Sequence, residues 1–201
     1  MEDLTAYTEV DPNARMTVTS SKANIVAADR KNDRVQLYKD FGVDSINDFR
    51  INFDVYINSS SETNGAIYCC CMTGAVVDWG SVSETDCIIQ LEERPDSEGR
   101  ISIQRAADIG MDYTLVDLNT VYYCTLYRKK YSDTVYLYIY SDELRTTLVD
   151  SLSVSGCGET TLYRYFMAIS CLYGVSGAYE FTGYVQNIQW VPIGGGGAIM
   201  F

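Results

Sequence analysis

Apolar and polar residues alternate with a period of two along most of the chain, and no segment shows a convincing helical period. In the segment FRINFDVYI, residues 49–57, five apolar residues share one face and Arg50, Asn52, Asp54 and Tyr56 share the other. Successive strand residues point to opposite sides, so this pattern predicts an antiparallel strand with one buried face. Comparable segments between polar turns are 14–28, 33–42, 65–77, 87–106, 111–118, 120–130, 134–142, 145–156, 161–174 and 178–191. Around a dozen short strands predict two stacked antiparallel sheets, an all-β sandwich.

A row of tyrosines marks the strand predicted at residues 134–142. Tyr136, Tyr138 and Tyr140 alternate there with three aliphatic residues. Such a row is either a platform on which sugars stack or part of a strand that is buried on both faces. Because aliphatic side chains make the better core, we expect the tyrosines to be partly exposed. We interpret them as a contact surface, for a protein neighbour first and for a glycan second, and take Trp79 as a further aromatic candidate.

Composition excludes several classes of function. The net charge of −12 argues against nucleic acid as a partner, because phosphates bind lysine and arginine. The absence of histidine excludes Ser-His-Asp and Cys-His catalysis, imidazole bases and histidine-ligated zinc. The acidic segments lack the spacing of a calcium loop, so we expect neither a metal nor another cofactor.

Seven cysteines occur without a paired C-x-x-C spacing, which argues against a zinc ribbon or a thioredoxin-like site. Cys69, Cys70 and Cys71 lie in an apolar run, and we interpret them as small buried side chains of a strand. This usage indicates folding in a reducing cytosol. The N-terminal sequence resembles neither a signal peptide nor a transit peptide, and no apolar run approaches the length of a membrane span, so we expect neither secretion by a signal peptide nor a membrane partner.

Several stretches resemble concanavalin A-like jelly-roll domains of the kind found in tailed-phage structural proteins. They are YTEVDPNARMTVTSSKANI (7–25), RVQLYKDFGVDSINDFRINFDVYI (34–57), TVYYCTLYRKKYSDTVYLYIYSDELRTTLVDSLSV (120–154) and FTGYVQNIQW (181–190). These are packing and turn patterns rather than catalytic motifs. The resemblance implies a lectin/glucanase-type sandwich and a place in a virion, and it does not by itself imply sugar binding.

Glucanases with this sandwich carry paired carboxylates on one strand. The candidates here are Glu84, Asp86, Glu92 and Glu93, of which the first two precede the strand in a polar loop and the others lie at a hairpin end. We therefore expect no catalytic residues and no enzyme activity.

The last ten residues differ from the rest of the chain. We divide it into a sandwich domain, residues 1–191, and a glycine-rich docking tail, residues 192–201, in which Ile199, Met200 and Phe201 follow four glycines.

The sequence predicts a virion accessory protein assembled in the host cytoplasm, a capsid decoration or head fibre. Its expected partners are the major capsid protein or other copies of itself, as a homo-oligomer. The alternatives are a carbohydrate-binding module and a minor tail or baseplate component.

Overall fold

The computed structural model describes residues 1–29, 33–42, 46–58, 65–76, 83–94, 98–105, 109–171 and 180–193. Within these ranges, a short 3-10 helix, Leu4–Ala6, precedes fourteen strands. They are β1 (Thr8–Val10), β2 (Met16–Val18), β3 (Lys22–Asp29), β4 (Gln36–Asp40), β5 (Phe49–Ile57), β6 (Ala66–Thr73), β7 (Cys87–Glu93), β8 (Gly99–Arg105), β9 (Ile109–Val116), β10 (Val121–Arg128), β11 (Val135–Tyr140), β12 (Leu148–Val154), β13 (Tyr165–Cys171) and β14 (Glu180–Trp190).

The strands form two antiparallel sheets of seven, which confirms the predicted jelly-roll sandwich. The first sheet has the order β1-β4-β13-β6-β7-β8-β9, and the second has the order β12-β11-β10-β5-β14-β3-β2. Each sheet mixes strands from both halves of the sequence, so the two sheets form one folding unit. The tail beyond residue 193, with Ile199, Met200 and Phe201, lies outside the described residues, and its separation from the sandwich stays a prediction.

The core lies between the sheets and is built from the inward residue of each alternating pair. In β5 the inward residues are buried, among them Phe49 and Phe53, while Arg50 on the outward side is exposed. Val135, Leu137 and Ile139 of β11 are fully buried in the same cluster, as the alternation predicted. Each such side chain stabilises the fold by about 1.5–3 kcal/mol relative to an exposed one.

The cysteine run forms the middle of β6, and all seven cysteines of the chain are buried. A bulge shifts the register against β7 between Cys69 and Met72, and Cys70 adopts a φ of +47°. The extra residue lets Cys69 and Cys70 both face the main core, while Cys71 faces the opposite side of the sheet. Side chains this small fit where two neighbouring residues must share one face.

A buried arginine closes one end of the sandwich. Arg128, at the end of β10, is fully buried, and its guanidinium donates to the carbonyl oxygens of Ser132 (3.0 Å), Thr161 (3.3 Å) and Gly158. It also lies over the ring of Tyr163, 5.3 Å from the centroid. Because a buried cation is costly unless its donors are satisfied, these carbonyls hold the surrounding turns in place.

Candidate functional site: the tyrosine face of the second sheet

The outward side of the second sheet carries a field of tyrosines contributed by four strands. Register places Tyr136 beside Tyr127, Tyr140 beside Tyr123, and Tyr138 beside Thr125. The field continues across β5 to a further pair on β5 and β14. We call this surface the tyrosine face: Tyr56, Tyr123, Tyr127, Tyr136, Tyr138, Tyr140 and Tyr184.

The tyrosines of β11 are partly exposed, as the sequence predicted. Tyr136 is 36% exposed, and Tyr138 and Tyr140 are half-buried. The strand is paired on both sides, with β10 and with β12, so its backbone is fixed and its rings stand at set positions. Their role as contact residues remains a prediction.

Ring stacking orders the face at both ends. The rings of Tyr136 and Tyr138 are nearly parallel, at 14°, with centroids 6.3 Å apart. Tyr56 and Tyr184 stack at 4.9 Å and 7°, and the ammonium of Lys22 lies 3.6 Å from the Tyr184 centroid. Offset stacks and cation–π contacts of this kind hold rings in fixed orientations, which reduces the entropy that a ligand must remove on binding.

The turn between β11 and β12 bends back over the tyrosine face. The Asp142 carboxylate accepts hydrogen bonds from the backbone N–H groups of Thr146 and Thr147, and the latter contributes most to lowering its pKa. Arg145, at a φ of +55°, then reaches the outward side of β5 and forms an ion pair with Asp54, with 3.0 Å between Nη2 and Oδ1. Its guanidinium lies 5.9 Å from the Tyr123 ring centroid, so the turn forms a wall at that side of the face.

Asp54 is the buried anchor of this wall. It is almost fully buried although it points outward, and its second carboxylate oxygen accepts a hydrogen bond from the Asn187 side chain at 2.7 Å. Asn187 sits in a bulge of β14 with a φ of +55°, a conformation that asparagine tolerates better than most residues. The carboxylate therefore joins three parts of the sheet that are distant in sequence.

A shallow depression of about 230 Å³ lies on the tyrosine face. It is lined by Arg50, Thr125, Tyr127, Tyr138 and Tyr140. The Thr125 hydroxyl donates to the Asn52 side-chain oxygen at 2.8 Å, which fixes the floor. Partial burial, followed by the neighbouring tyrosines, raises the pKa of Tyr138, and Arg50 lowers it. At neutral pH the phenol is therefore protonated and able to donate a hydrogen bond.

No protein-family model and no curated protein sequence matches the chain. Among solved structures, a legume lectin-like domain from Entamoeba histolytica matches with a TM-score of 0.65 at 12% identity, covering 94% of this chain and 90% of that one. The chain has the legume-lectin-like, concanavalin A-like fold.

Two further structures share the lectin-like fold. The exoplasmic/lumenal domain of VIP36, in its Ca²⁺/Man3GlcNAc-bound form, matches at a TM-score of 0.57 and 7% identity, covering 94% of this chain and 86% of that chain. Tailspike protein 2 of Escherichia coli O157:H7 bacteriophage CAB120 matches at 0.52 and 9% identity. That match covers 94% of this chain but 26% of the tailspike. Structural matches at identities this low show the fold alone. They confirm the resemblance seen in the sequence and leave the activity open.

The outward side of the first sheet has a different character in this lectin-like sandwich. Register aligns a polar row across its strands: Gln36, Ser170, Tyr68, Gln90 and Ser102. All five are buried, and next to them Tyr68, Cys71, Ile88 and Met167 form a second, smaller apolar cluster. Among the residues that the structure describes, the oxygen atoms Ser102 Oγ and Gln104 Oε1 have no hydrogen-bond partner.

The carboxylates considered for catalysis are dispersed. Asp86 is buried and accepts hydrogen bonds from the N–H groups of Ser83 (2.8 Å) and Gly74 (3.0 Å), while burial raises its pKa. Glu92 is ion-paired with Arg100. Neither the depression on the tyrosine face nor a second one, of about 290 Å³ at the edges of the two sheets, is lined by Glu84, Asp86, Glu92 or Glu93.

One predicted contact residue falls outside the described residues, and neither a metal site nor a membrane-spanning helix is found among them. Trp79 lies in a segment that the structure does not describe. Within the described ranges, no group of three or more cysteine, aspartate or glutamate residues is placed to hold a metal ion. No helix in those ranges is long and apolar enough to span a membrane.

Sequence reasoning missed most of the tyrosine face. It found the β11 row but not its neighbours Tyr123 and Tyr127, and it did not link Asp54 to Arg145, 91 positions along the chain. A usable signal was present, because β5 and β10 also alternate and their outward residues include Arg50, Tyr56, Tyr123 and Tyr127. Which strands lie side by side is not encoded in the alternation of any one of them.

Proposed function

We propose that this domain is a non-enzymatic, carbohydrate-binding module and that the tyrosine face holds the saccharide. The observation that carries the proposal is the depression lined by Tyr127, Tyr138, Tyr140, Thr125 and Arg50. Tyrosine rings offer a flat apolar face to the C–H side of a sugar ring and a hydroxyl to its polar edge. They do so with few rotatable bonds, so little conformational entropy is lost on binding.

The rigidity of the surface supports this assignment. The tyrosines that line the depression stand on β10 and β11, two interior strands of the sheet that are each paired with a neighbour on both sides. The ion pair of Arg145 with Asp54 and the Tyr136–Tyr138 stack hold the side chains around the depression in place. The fold itself supports it further, since one structure that shares it was solved with Man3GlcNAc bound.

The absence of enzyme activity is part of the proposal. Hydrolysis of a glycosidic bond requires two carboxyl groups on either side of it, about 5–10 Å apart. The residues that line the depression on the tyrosine face include no carboxylate. A saccharide held there would contact a lining that offers no carboxyl group as acid or base.

The test is a glycan array followed by titration of each positive glycan with purified protein, with and without EDTA. We expect Tyr138→Ala and Tyr140→Ala each to weaken binding about tenfold, equivalent to ~1.4 kcal/mol. Tyr113→Ala is the matched control, because Tyr113 is 50% exposed on the first sheet. No binding to any glycan, or equal losses in the control, would overturn the proposal.

We propose as a second function that the domain is displayed on a virion as a capsid decoration or head-fibre subunit, contacting capsid proteins or copies of itself. The fold match to a phage tailspike supports this setting. A further support is the edge strand β9, last in its sheet, where Met111, Tyr113 and Leu115 are exposed apolar residues suited to a protein contact.

Quantitative mass spectrometry of purified particles tests the second function. Hundreds of copies per particle would support a capsid decoration, and a handful would support a minor tail or baseplate component instead. Absence from particles would reject the virion setting and leave the glycan proposal untouched.

A further inference from the structure

The tyrosine face differs in charge from the rest of the molecule. The chain carries a net charge of −12. Yet the outward positions of β5, β10 and β11 include one carboxylate, Asp54, and Arg145 neutralises it. Arg50 lies on the same surface, and Lys22 lies over Tyr184 at the other end. The lining of the depression therefore carries one charged side chain, the cation of Arg50, although the protein as a whole is acidic.

Arg50 is distinguished from other arginines by what surrounds it. Each of four others is ion-paired with a carboxylate: Arg15, Arg100, Arg145 and Arg164. Arg50 is exposed, and among the described residues its side chain makes neither an ion pair nor a hydrogen bond. Register places it next to Tyr127, on the lining of the depression. Its guanidinium is thus free to serve a ligand.

The chemistry of guanidinium defines that ligand. Its planar fork binds a carboxylate or phosphate group through two parallel hydrogen bonds and remains charged at every physiological pH. Tyr138 and Tyr140 beside it provide ring faces for a pyranose. A sugar that carries its anionic group at the ring edge would satisfy both at once.

We propose that the tyrosine face is selective for anionic saccharides, with Arg50 as the residue that determines this selectivity. The inference rests on the proposed glycan-binding function and adds the chemical class of the ligand. The negative charge of the whole molecule repels a polyanion at long range, and salt screens that repulsion beyond about 10 Å. Selectivity must therefore come from the short contact with Arg50, so short acidic oligosaccharides should bind at least as well per site as long ones.

The experiment compares pairs of sugars in which one member carries an anionic group and the other is neutral. The probes are galacturonate and mannuronate hexamers with their fully methyl-esterified counterparts, and mannose 6-phosphate with mannose, each titrated calorimetrically into the full chain. We expect wild-type protein to bind the acid 10- to 100-fold more tightly than its ester. In Arg50→Gln the ratio of the two dissociation constants should fall to about one, while Arg50→Lys should keep part of it. Arg164→Gln removes an exposed arginine from the first sheet and should leave the ratio unchanged.

The outcomes separate the inference from the function beneath it. A preference for uronates identifies a carboxylate as the anionic group, and a preference confined to mannose 6-phosphate identifies a phosphate. Equal binding of acids and esters, or a preference that survives Arg50→Gln, would overturn the inference while glycan binding stands. If no saccharide binds, charged or neutral, and none is found on the array, the proposed function fails with it.

Discussion

The outward faces of the two sheets are built on opposite plans. On the second sheet, β11 buries its aliphatic residues and leaves Tyr136, Tyr138 and Tyr140 partly exposed. On the first sheet, every residue of β6 is buried, on both sides of the strand. A sandwich requires one buried face from each sheet. The outward face of the second sheet is therefore open to a ligand at β11, whereas the outward face of the first sheet is buried at β6.

The polar atoms show the same contrast. On the tyrosine face, Asp54, Asn52 and Thr125 are joined to partners by hydrogen bonds or an ion pair. On the first sheet, Ser102 Oγ and Gln104 Oε1 are buried and have no hydrogen-bond partner within the described part of the chain. A buried polar atom left in this state costs about 1–3 kcal/mol. The polar groups of the open tyrosine face are therefore better satisfied by hydrogen bonds than those of the buried outward face of the first sheet.

The largest expected effect comes from deleting matched side chains on the two faces. Met167→Ala on the first sheet should lower the free energy of unfolding by about 3 kcal/mol, because the side chain is fully buried and leaves a cavity. Tyr138→Ala on the second should lower it by about 1 kcal/mol, since its ring is half in solvent. Urea denaturation measures both, and equal losses would contradict the contrast between the faces.

The next largest effect comes from breaking the Arg145–Asp54 ion pair at the wall of the tyrosine face. Asp54→Ala leaves Arg145 without its carboxylate, and we expect a loss of about 2 kcal/mol, below the roughly 3–5 kcal/mol of a fully buried pair because Arg145 is partly solvated. The double variant with Arg145→Ala should lose less than the sum of the two single changes. Additive losses in this cycle would show that the ion pair does not couple the turn to the sheet.

A third pair of variants should move stability in opposite directions. Ser102→Ala removes an unsatisfied buried hydroxyl from the first sheet and should be neutral or stabilising by up to about 1 kcal/mol. Thr125→Val breaks the 2.8 Å hydrogen bond to Asn52 on the second sheet and should destabilise by about 1 kcal/mol. Thermal unfolding of both variants and the wild type gives the sign of each stability change. A destabilising Ser102→Ala would mean that the Ser102 hydroxyl is hydrogen-bonded.

The smallest effect concerns an exposed corner of the first sheet. Arg164, followed by the N–H of Gly42, lowers the pKa of Asp40 from 3.8 to about 2. A lowered pKa means that the folded state favours the ionised carboxylate. The stabilisation is therefore complete above about pH 4 and is lost as the pH falls towards 2. Arg164→Gln should reduce the difference in urea midpoint between pH 5 and pH 2.5, and an unchanged difference would rule out this pair as a contributor.

The fold could be predicted from the sequence because strand alternation is a local property. Residues 49–57 show it most clearly, and β5 has those bounds. The orientation of β11 followed from the same rule, since aliphatic residues are the better core. By contrast, the all-apolar β6 could be interpreted as buried, but its bulge at Cys70 depends on the register against β7.

The candidate site was harder to predict because its parts meet through pairings of strands that are distant in sequence. Tyr56 and Tyr184 stack across neighbouring strands, although 128 positions (184 − 56) separate them. Arg145 lies in a segment whose sequence indicates a turn, and nothing local shows that it reaches Asp54 on β5. Long-range contacts of this kind become visible once the order of the strands is known.

The seven buried thiols can serve as native probes of local unfolding. Burial raises the pKa of Cys70, Cys71, Cys87 and Cys124 well above the ordinary value, and that of Cys157 to about 11. An alkylating reagent attacks thiolates, so the folded chain should resist modification until a region opens. Because the seven cysteines lie on β6, β7, β10, β13 and the turn after β12, the order in which they are labelled would reveal which strands separate first, without any engineered probe.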